Sequence, residues 1–210
     1  MEENSSTPLK EISEAFAGLA ADVSRAKSSS VHSEQVQVAK FANACDRISV
    51  LFGCLGIAFK FAEKDYVAKV KDLQSAGKEF NTLPEMIDGD IRTDTVRLTG
   101  SHARNLLRVK RGVDMVHILF QHILITPGNS LREPASTAYD QVFSQHHGWA
   151  VRKAVSAGMY VLPSKSHFLS KLNEQEDSAQ EYMRSFATSA DPVIEYVNGL
   201  FTSRELGVDW

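Results

Sequence analysis

Three arginines, Arg104, Arg108 and Arg111, lie three or four residues apart. On an α-helix that spacing stacks side chains along one stripe. A guanidinium is a planar fork of N–H donors that suits phosphate oxygens. The stripe runs on through Met115 and Leu119, so charge occupies its first half and apolar side chains its second. A second segment has the reverse order, with Ala58, Phe61 and Ala62 preceding Asp65 and Lys69 on one helical face. Two such helices could line a cavity with the same polarity, and the matching ligand has an anionic head and a greasy tail. Two adjacent histidines, His146 and His147, stand before Gly148 and Trp149. Imidazole can donate to an amide or phosphate oxygen. A tryptophan at a helix start belongs either to the core or to a membrane interface.

Each of these residues also has a plainer reading. Asp65 and Lys69 at i,i+4 can form a surface ion pair worth about 0.3–0.5 kcal/mol. The arginines, in a stretch that also holds Lys110, can form a solvated face. The Phe, Met and Leu residues can be ordinary core, and the histidines can cap a helix or sit buried. Spacing alone leaves both sets of readings open. Catalytic chemistry has less to stand on. The chain has no Gly-x-Ser-x-Gly elbow, no metal-spaced Cys/His set and no phosphate-binding glycine loop. His117 and His122 lie roughly 140° apart around a helix and cannot share a metal. Neither an enzyme nor a cofactor is expected.

The elements that must position these residues are all helical. Alternating β-branched stretches are missing, while helical spacing recurs from end to end. Leu9, Ile12, Phe16, Leu19 and Val23 make a first stripe, and residues 26–34 read as a polar loop. Val38, Phe41, Ala42, Cys45 and Ile48 make a second, broken or kinked at Gly53 and Gly56. Further helices are expected over residues 57–74, 84–91, 95–125, from Pro134 through Phe143, over 147–160, and over 177–201 with a kink at Pro192. In the long segment, Leu106, Val109, Val113, Val116, Phe120 and Ile123 share a core face. Its second half is apolar on both faces and should lie between two layers of helices. Trp210 should pack on the body. No repeat or long linker divides the chain. The expectation is one all-α domain of about eight helices spanning residues 9–210, after a flexible stretch over 1–8.

Composition narrows the classes of partner. The 210 residues are 43% hydrophobic and 23% charged, with 23 Lys+Arg against 26 Asp+Glu and a net charge of −3. That balance argues against bulk capture of nucleic acid. The longest uncharged apolar stretch, residues 48–59, is too short to span a bilayer, which needs about 18 or more. The first residues are acidic and polar, without an apolar signal core. Cys45 and Cys54 would stand roughly 13 Å apart along a helix, too far for a disulfide. These features lead to the expectation of a reduced, cytoplasmic protein.

The stretches LFGCLGIAFKFAEKDYVAKV (51–70), GSHARNLLRVKRG (100–112) and HHGWAVRKAVSAGMYVLP (146–163) carry a family resemblance. The chain resembles the glycolipid transfer proteins from about Leu9 to Trp210. Within them it is most similar to the plant accelerated-cell-death branch, which handles ceramide-1-phosphate. The resemblance implies a two-layer helical sandwich enclosing the lipid chains, with the headgroup at a surface centre. It implies that Asp65 takes the sphingolipid amide N–H, that His147 takes the amide carbonyl, and that Lys69, Arg104 and Arg108 grip the phosphate. The glycolipid-binding branch has tryptophan at the position of Arg108 and an uncharged amide at that of Lys69, so phosphate rather than sugar is expected here. Trp149 resembles the family's membrane-contact tryptophan. The implied function is intermembrane transfer of ceramide-1-phosphate or a related sphingolipid, with transient membrane contact and a link to programmed cell death and defence. The alternatives are a sphingolipid sensor that signals to protein partners, and glycolipid transfer.

Overall fold

The computed structural model describes residues 6–28 and 35–210. Ten α-helices and two 3-10 turns make up the described residues, and no strand is among them. The helices are α1 (Pro8–Ser28), α2 (Val38–Arg47), α3 (Ser49–Leu55), α4 (Lys60–Ala76), α5 (Leu83–Arg92), α6 (His102–Ile125), α7 (Arg132–Val142), α8 (Trp149–Met159), α9 (Lys165–Lys171) and α10 (Glu176–Thr202). The 3-10 turns cover Ile57–Phe59 and Ser144–His146.

The all-α two-layer sandwich stands, with more pieces than the expected eight. The apolar stretch after α2 breaks twice, at Ile48 and at Gly56, whose φ of 100° suits glycine. The seven-residue α9 was not expected, because so short a segment carries no readable period. Pro8, the last residue of the stretch expected to be flexible, opens α1 in the position where a missing N–H costs nothing. Residues 1–5 of that stretch lie outside the described residues. So do residues 29–34 of the expected polar loop, and α1 carries on through Ser28, past its expected end. Pro192 lies inside α10, which is assigned as one helix across it.

The long helix begins seven residues later than its periodicity suggests. Gly100 takes φ 90° and breaks the chain, and Ser101 then caps α6 by accepting the N–H of Arg104 at 3.1 Å. Asp90, buried at the end of α5, accepts the N–H of Ala103 at 2.7 Å. These two contacts satisfy orphan donors of the first turn and fix where Arg104 points.

Helix α6 is the centre of the molecule. It packs against α4, α5, α7 and α10, while α1 packs on α10 and α2, and α2 packs on α4. Its predicted core face is buried throughout, and Leu119 on the opposite stripe is buried as well. The doubly apolar second half therefore does lie between neighbours. Phe16, Phe120 and Phe186 meet edge-to-face in the core at centroid distances of 4.8 and 5.4 Å.

The register of α4 against α6 is set by four side chains and one missing one. Asp72 accepts from Asn105 at 2.8 Å and pairs with His102 at 3.0 Å. Tyr66 donates its buried hydroxyl to the Cys45 carbonyl at 3.0 Å, tying α4 to the end of α2. A Cβ on Gly112 would collide with the Tyr66 ring, so only glycine lets the helices come this close. Residue 72 meets 102 and 105 while 66 meets 112, so the two helices run antiparallel.

Candidate functional site

That antiparallel register brings Asp65 and Lys69 of α4 against the basic turns of α6. Asp65 and Lys69 form the ion pair their spacing allows, and the Lys69 ammonium also donates to the Asp65 carbonyl at 3.3 Å. The pair is lopsided: the Lys69 side chain is 17% exposed and that of Asp65 is 61% exposed. Asp65 is therefore a solvated carboxylate in this state, facing outward with a cation behind it.

Arg104 sits in the first turn of α6. It donates to the Thr99 hydroxyl at 2.8 Å and to the Arg97 carbonyl at 3.4 Å. Arg108 lies one turn on and is half-buried. Burial pushes its pKa down from the ordinary guanidinium value, Arg104 pushes the same way, and Asp65 opposes both. A guanidinium stays charged under such pressure. Two arginines that repel each other, with one carboxylate beside them, make a site short of negative charge. The positive end of the α6 dipole adds to the deficit. The amides of Ala103 and Arg104 are already bonded to Asp90 and Ser101, which leaves side chains as the donors for an anion.

His147 reaches the same place from the linker before α8. Its ring stacks on Phe143 at 5.6 Å between centroids, and its Nδ1 lies 3.0 Å from the Tyr139 hydroxyl. With the hydroxyl donating to Nδ1, the neutral ring carries its proton on Nε2, ready to donate outward. Burial lowers the His147 pKa, Arg108 lowers it further, and Asp65 raises it. The imidazole is neutral at neutral pH and electrostatically in touch with both α4 and α6.

Five residues expected at the site, Asp65, Lys69, Arg104, Arg108 and His147, thus occupy one electrostatic neighbourhood. Arg111, on the same stripe and in the field of Arg108, directs its donors elsewhere. It is buried and donates to the main-chain oxygens of Val208 and Trp210, at 2.7 Å each. Lys110 is buried too, and paired with Asp114 at 2.8 Å, so the basic stretch is not a solvated face. Tyr139, which orients His147, was not anticipated; its spacing of eight residues from His147 carries no local signal.

The apolar half of the α4 stripe departs from expectation. Phe61 is 85% exposed and Ala62 is exposed, so neither lines a cavity. The buried residues of α4 begin only at Tyr66. Ile57 in the preceding turn is also exposed. Trp149, the first residue of α8, is 69% exposed, and Met159 is the only buried residue described in that helix. Between α7 and α8 lies a cleft of about 310 Å³, bordered by Tyr139, Trp149, Arg152 and Met159 among others. Trp210, by contrast, packs on the body as expected, edge-on to Phe201.

A central helix thus lies between layers, with a cationic cluster at one end and a carboxylate and a histidine beside it. The chain belongs to the glycolipid transfer protein family, whose model matches residues 36–174. That is a family of lipid transfer proteins, not of enzymes. The chain is 53% identical to Accelerated cell death 11 of Arabidopsis thaliana over 204 residues, covering 97% of this chain and 96% of that protein. A crystal structure of an Arabidopsis ACD11 point mutant complexed with C12 ceramide-1-phosphate superposes with a TM-score of 0.92 at 51% identity, covering 99% of this chain and all of that one. The human ceramide-1-phosphate transfer protein shares the fold, with a TM-score of 0.74 at 19% identity over 90% of this chain and 97% of that one.

Proposed function

We propose that this protein carries ceramide-1-phosphate, or a closely related sphingolipid phosphate, between membranes. The observation that carries the reading is the excess of Lys69, Arg104 and Arg108 over the single carboxylate Asp65 at the junction of α4 and α6. A phosphate monoester headgroup offsets that excess. Its oxygens accept from the two guanidinia and the ammonium, and charge-assisted bonds of this kind are worth about 1.5–3 kcal/mol each. The ACD11 structure with bound ceramide-1-phosphate supports the choice of lipid.

Asp65 and His147 supply the preference for an amide-linked lipid. The carboxylate accepts the amide N–H, and the His147 Nε2–H donates to the amide carbonyl. A bound lipid would cover Asp65. A glycerolipid joins its chains through esters and has no amide N–H there, so it would leave that carboxylate desolvated and unmatched at a cost of about 1–3 kcal/mol, more because it is charged.

Transfer needs no bond made or broken. A sphingolipid hides roughly 30 methylene groups, and at about 0.8 kcal/mol each its unaided exit into water costs on the order of 24 kcal/mol. A carrier removes that barrier by passing the chains from bilayer to protein interior. The exposed Trp149, Phe61 and Ile57 support a transient, peripheral contact with the bilayer surface. Among the described residues no helix is long and apolar enough to cross a membrane. Cytoplasmic residence and a part in the control of programmed cell death belong to the same reading; the free thiols of Cys45 and Cys54, and the ACD11 relative, support them.

The test is transfer between vesicles of fluorescent ceramide-1-phosphate, galactosylceramide and phosphatidic acid. Selective movement of ceramide-1-phosphate is the expected result. Galactosylceramide moving as fast would overturn the phosphate assignment, and phosphatidic acid moving as fast would overturn the amide assignment. Tight ceramide-1-phosphate binding without transfer would point to a sensor.

A further inference from the structure

We propose that residues 206–210 form a strap that positions the headgroup centre, by holding Arg97 and Arg111 so that Arg104 and Arg108 keep their aim at phosphate. The inference rests on the phosphate reading of that centre and adds a specificity element outside it.

The strap is built by a chain reversal. After α10, Glu205 takes φ 56° and Gly207 takes φ 69°, and the Leu206 amide returns to the Phe201 carbonyl at 3.1 Å. The last residues turn back over the basic end of α6. Trp210 closes the loop, its indole N–H bonded to the Leu206 carbonyl at 3.0 Å and its ring edge-on to Phe201 at 6.2 Å.

Two arginines clasp this strap from either side of the headgroup centre. Arg111, one turn beyond Arg108, spans the Val208 and Trp210 oxygens at 2.7 Å each. Burial and then Arg108 press its pKa down, while Asp209 on the strap and Asp114 press it back up. Arg97, before α6, donates to the Leu206 carbonyl at 3.0 Å and stands 5.3 Å over the Trp210 ring. The carbonyl of that same Arg97 accepts from Arg104 at 3.4 Å. The strap therefore reaches Arg104 through Arg97, and it holds Arg111 one helical turn from Arg108.

The physical consequence is a division of labour among four guanidinia. Crowded together without partners, they would repel and splay toward water. Main-chain oxygens and the Asp209 carboxylate take two of them. Arg104 is held through its guanidinium by Thr99 and the Arg97 carbonyl, and Arg108 stays half-buried one turn on, within the field of Asp65. Arg111 is a positioning residue in this scheme, as is Trp210.

The experiment compares the unaltered chain, a variant truncated after Gly207, and Arg111→Lys, which keeps the charge but ends one bond short of the guanidinium nitrogen that meets both strap oxygens. Dissociation constants are measured for ceramide-1-phosphate and for ceramide, with circular dichroism and thermal melts as the check on folding. In folded variants the preference for ceramide-1-phosphate over ceramide should fall at least tenfold, with ceramide binding kept within about twofold. An unchanged preference in either folded variant would overturn the proposal. An equal loss of both lipids would also overturn it, by showing that the strap supports the fold alone. If the truncated chain does not fold, Arg111→Lys decides. Absence of any phosphate preference in the unaltered chain would instead count against the function proposed above.

Discussion

On the proposed reading, Arg108 is the residue that favours phosphate over sugar. It sits between a cation, Arg104, that it repels and a carboxylate, Asp65, that it attracts. Replacing it with tryptophan removes the fork and one charge while leaving an aromatic surface. Arg108→Trp should slow ceramide-1-phosphate transfer roughly 10–100-fold, the loss of one charge-assisted interaction. Vesicle transfer rates measure this, and an unchanged rate would take Arg108 out of the site. Asp65→Val should abolish sphingolipid binding yet move stability by no more than about 0.5 kcal/mol, because the carboxylate it removes is largely solvated. Binding titrations beside denaturant unfolding distinguish the two effects. The histidines give a pH dependence. Burial is the main cause that holds both His146 and His147 below the ordinary imidazole value of about 6.5. The unfolded chain then takes up protons first as pH falls through about 6.5, so the folded state loses stability as pH falls below about 7 and gains nothing above it. Melts across that range should show the slope, and His146→Gln with His147→Gln should flatten it.

At the scale of elements, the site depends on how closely α4 lies against α6. Gly112 permits that approach because a methyl group there would meet the Tyr66 ring, which is itself tied to Cys45. Gly112→Ala should cost about 1–3 kcal/mol through overpacking. For a domain of this size that lowers Tm by roughly 2–12 °C. Headgroup affinity should fall with it, because Asp65 and Lys69 ride on the displaced helix, and calorimetry on the same variant tests both. Much of this level was legible beforehand. The stripes on α1, α2 and α6 report their buried faces correctly, because a helical period is a local property of the chain. The late start of α6 was not legible, since it depends on Asp90 from α5 and on the φ of Gly100. The exposure of Phe61 was not legible either: an apolar side chain at the right angle says nothing about whether a neighbour arrives to cover it.

At the scale of the whole molecule, a net charge of −3 coexists with a cationic centre. The position of charge, not its sum, decides what binds. The interior around α6 is filled by its own side chains, with Phe16, Phe41, Phe120 and Phe186 almost wholly out of solvent. Loading a lipid must therefore part packed elements, and α8, with Met159 as its one buried residue among those described, is the least held of the longer helices. Parting them is opposed by packing and repaid by chain burial and headgroup contacts. Ceramide-1-phosphate at a hundred times its dissociation constant should add about 2.7 kcal/mol and raise Tm by roughly 5–11 °C. Melts with and without lipid check this, and no shift would mean no lipid bound to the folded state.

The sequence by itself determined the helical class, the faces turned inward on α1, α2 and α6, and a stripe of arginines of a type suited to phosphate. Each of these follows from spacing within a few turns, where geometry is inherited from the backbone. Tertiary structure alone decided that Arg111 serves the strap rather than the ligand, that Tyr139 orients His147, and that Asp65 stands in solvent. Those outcomes rest on segments up to about a hundred residues apart in the chain, such as Arg111 and Trp210. No local pattern encodes which distant carbonyl a guanidinium will meet; only the packed arrangement of α4, α6 and α10 brings them together.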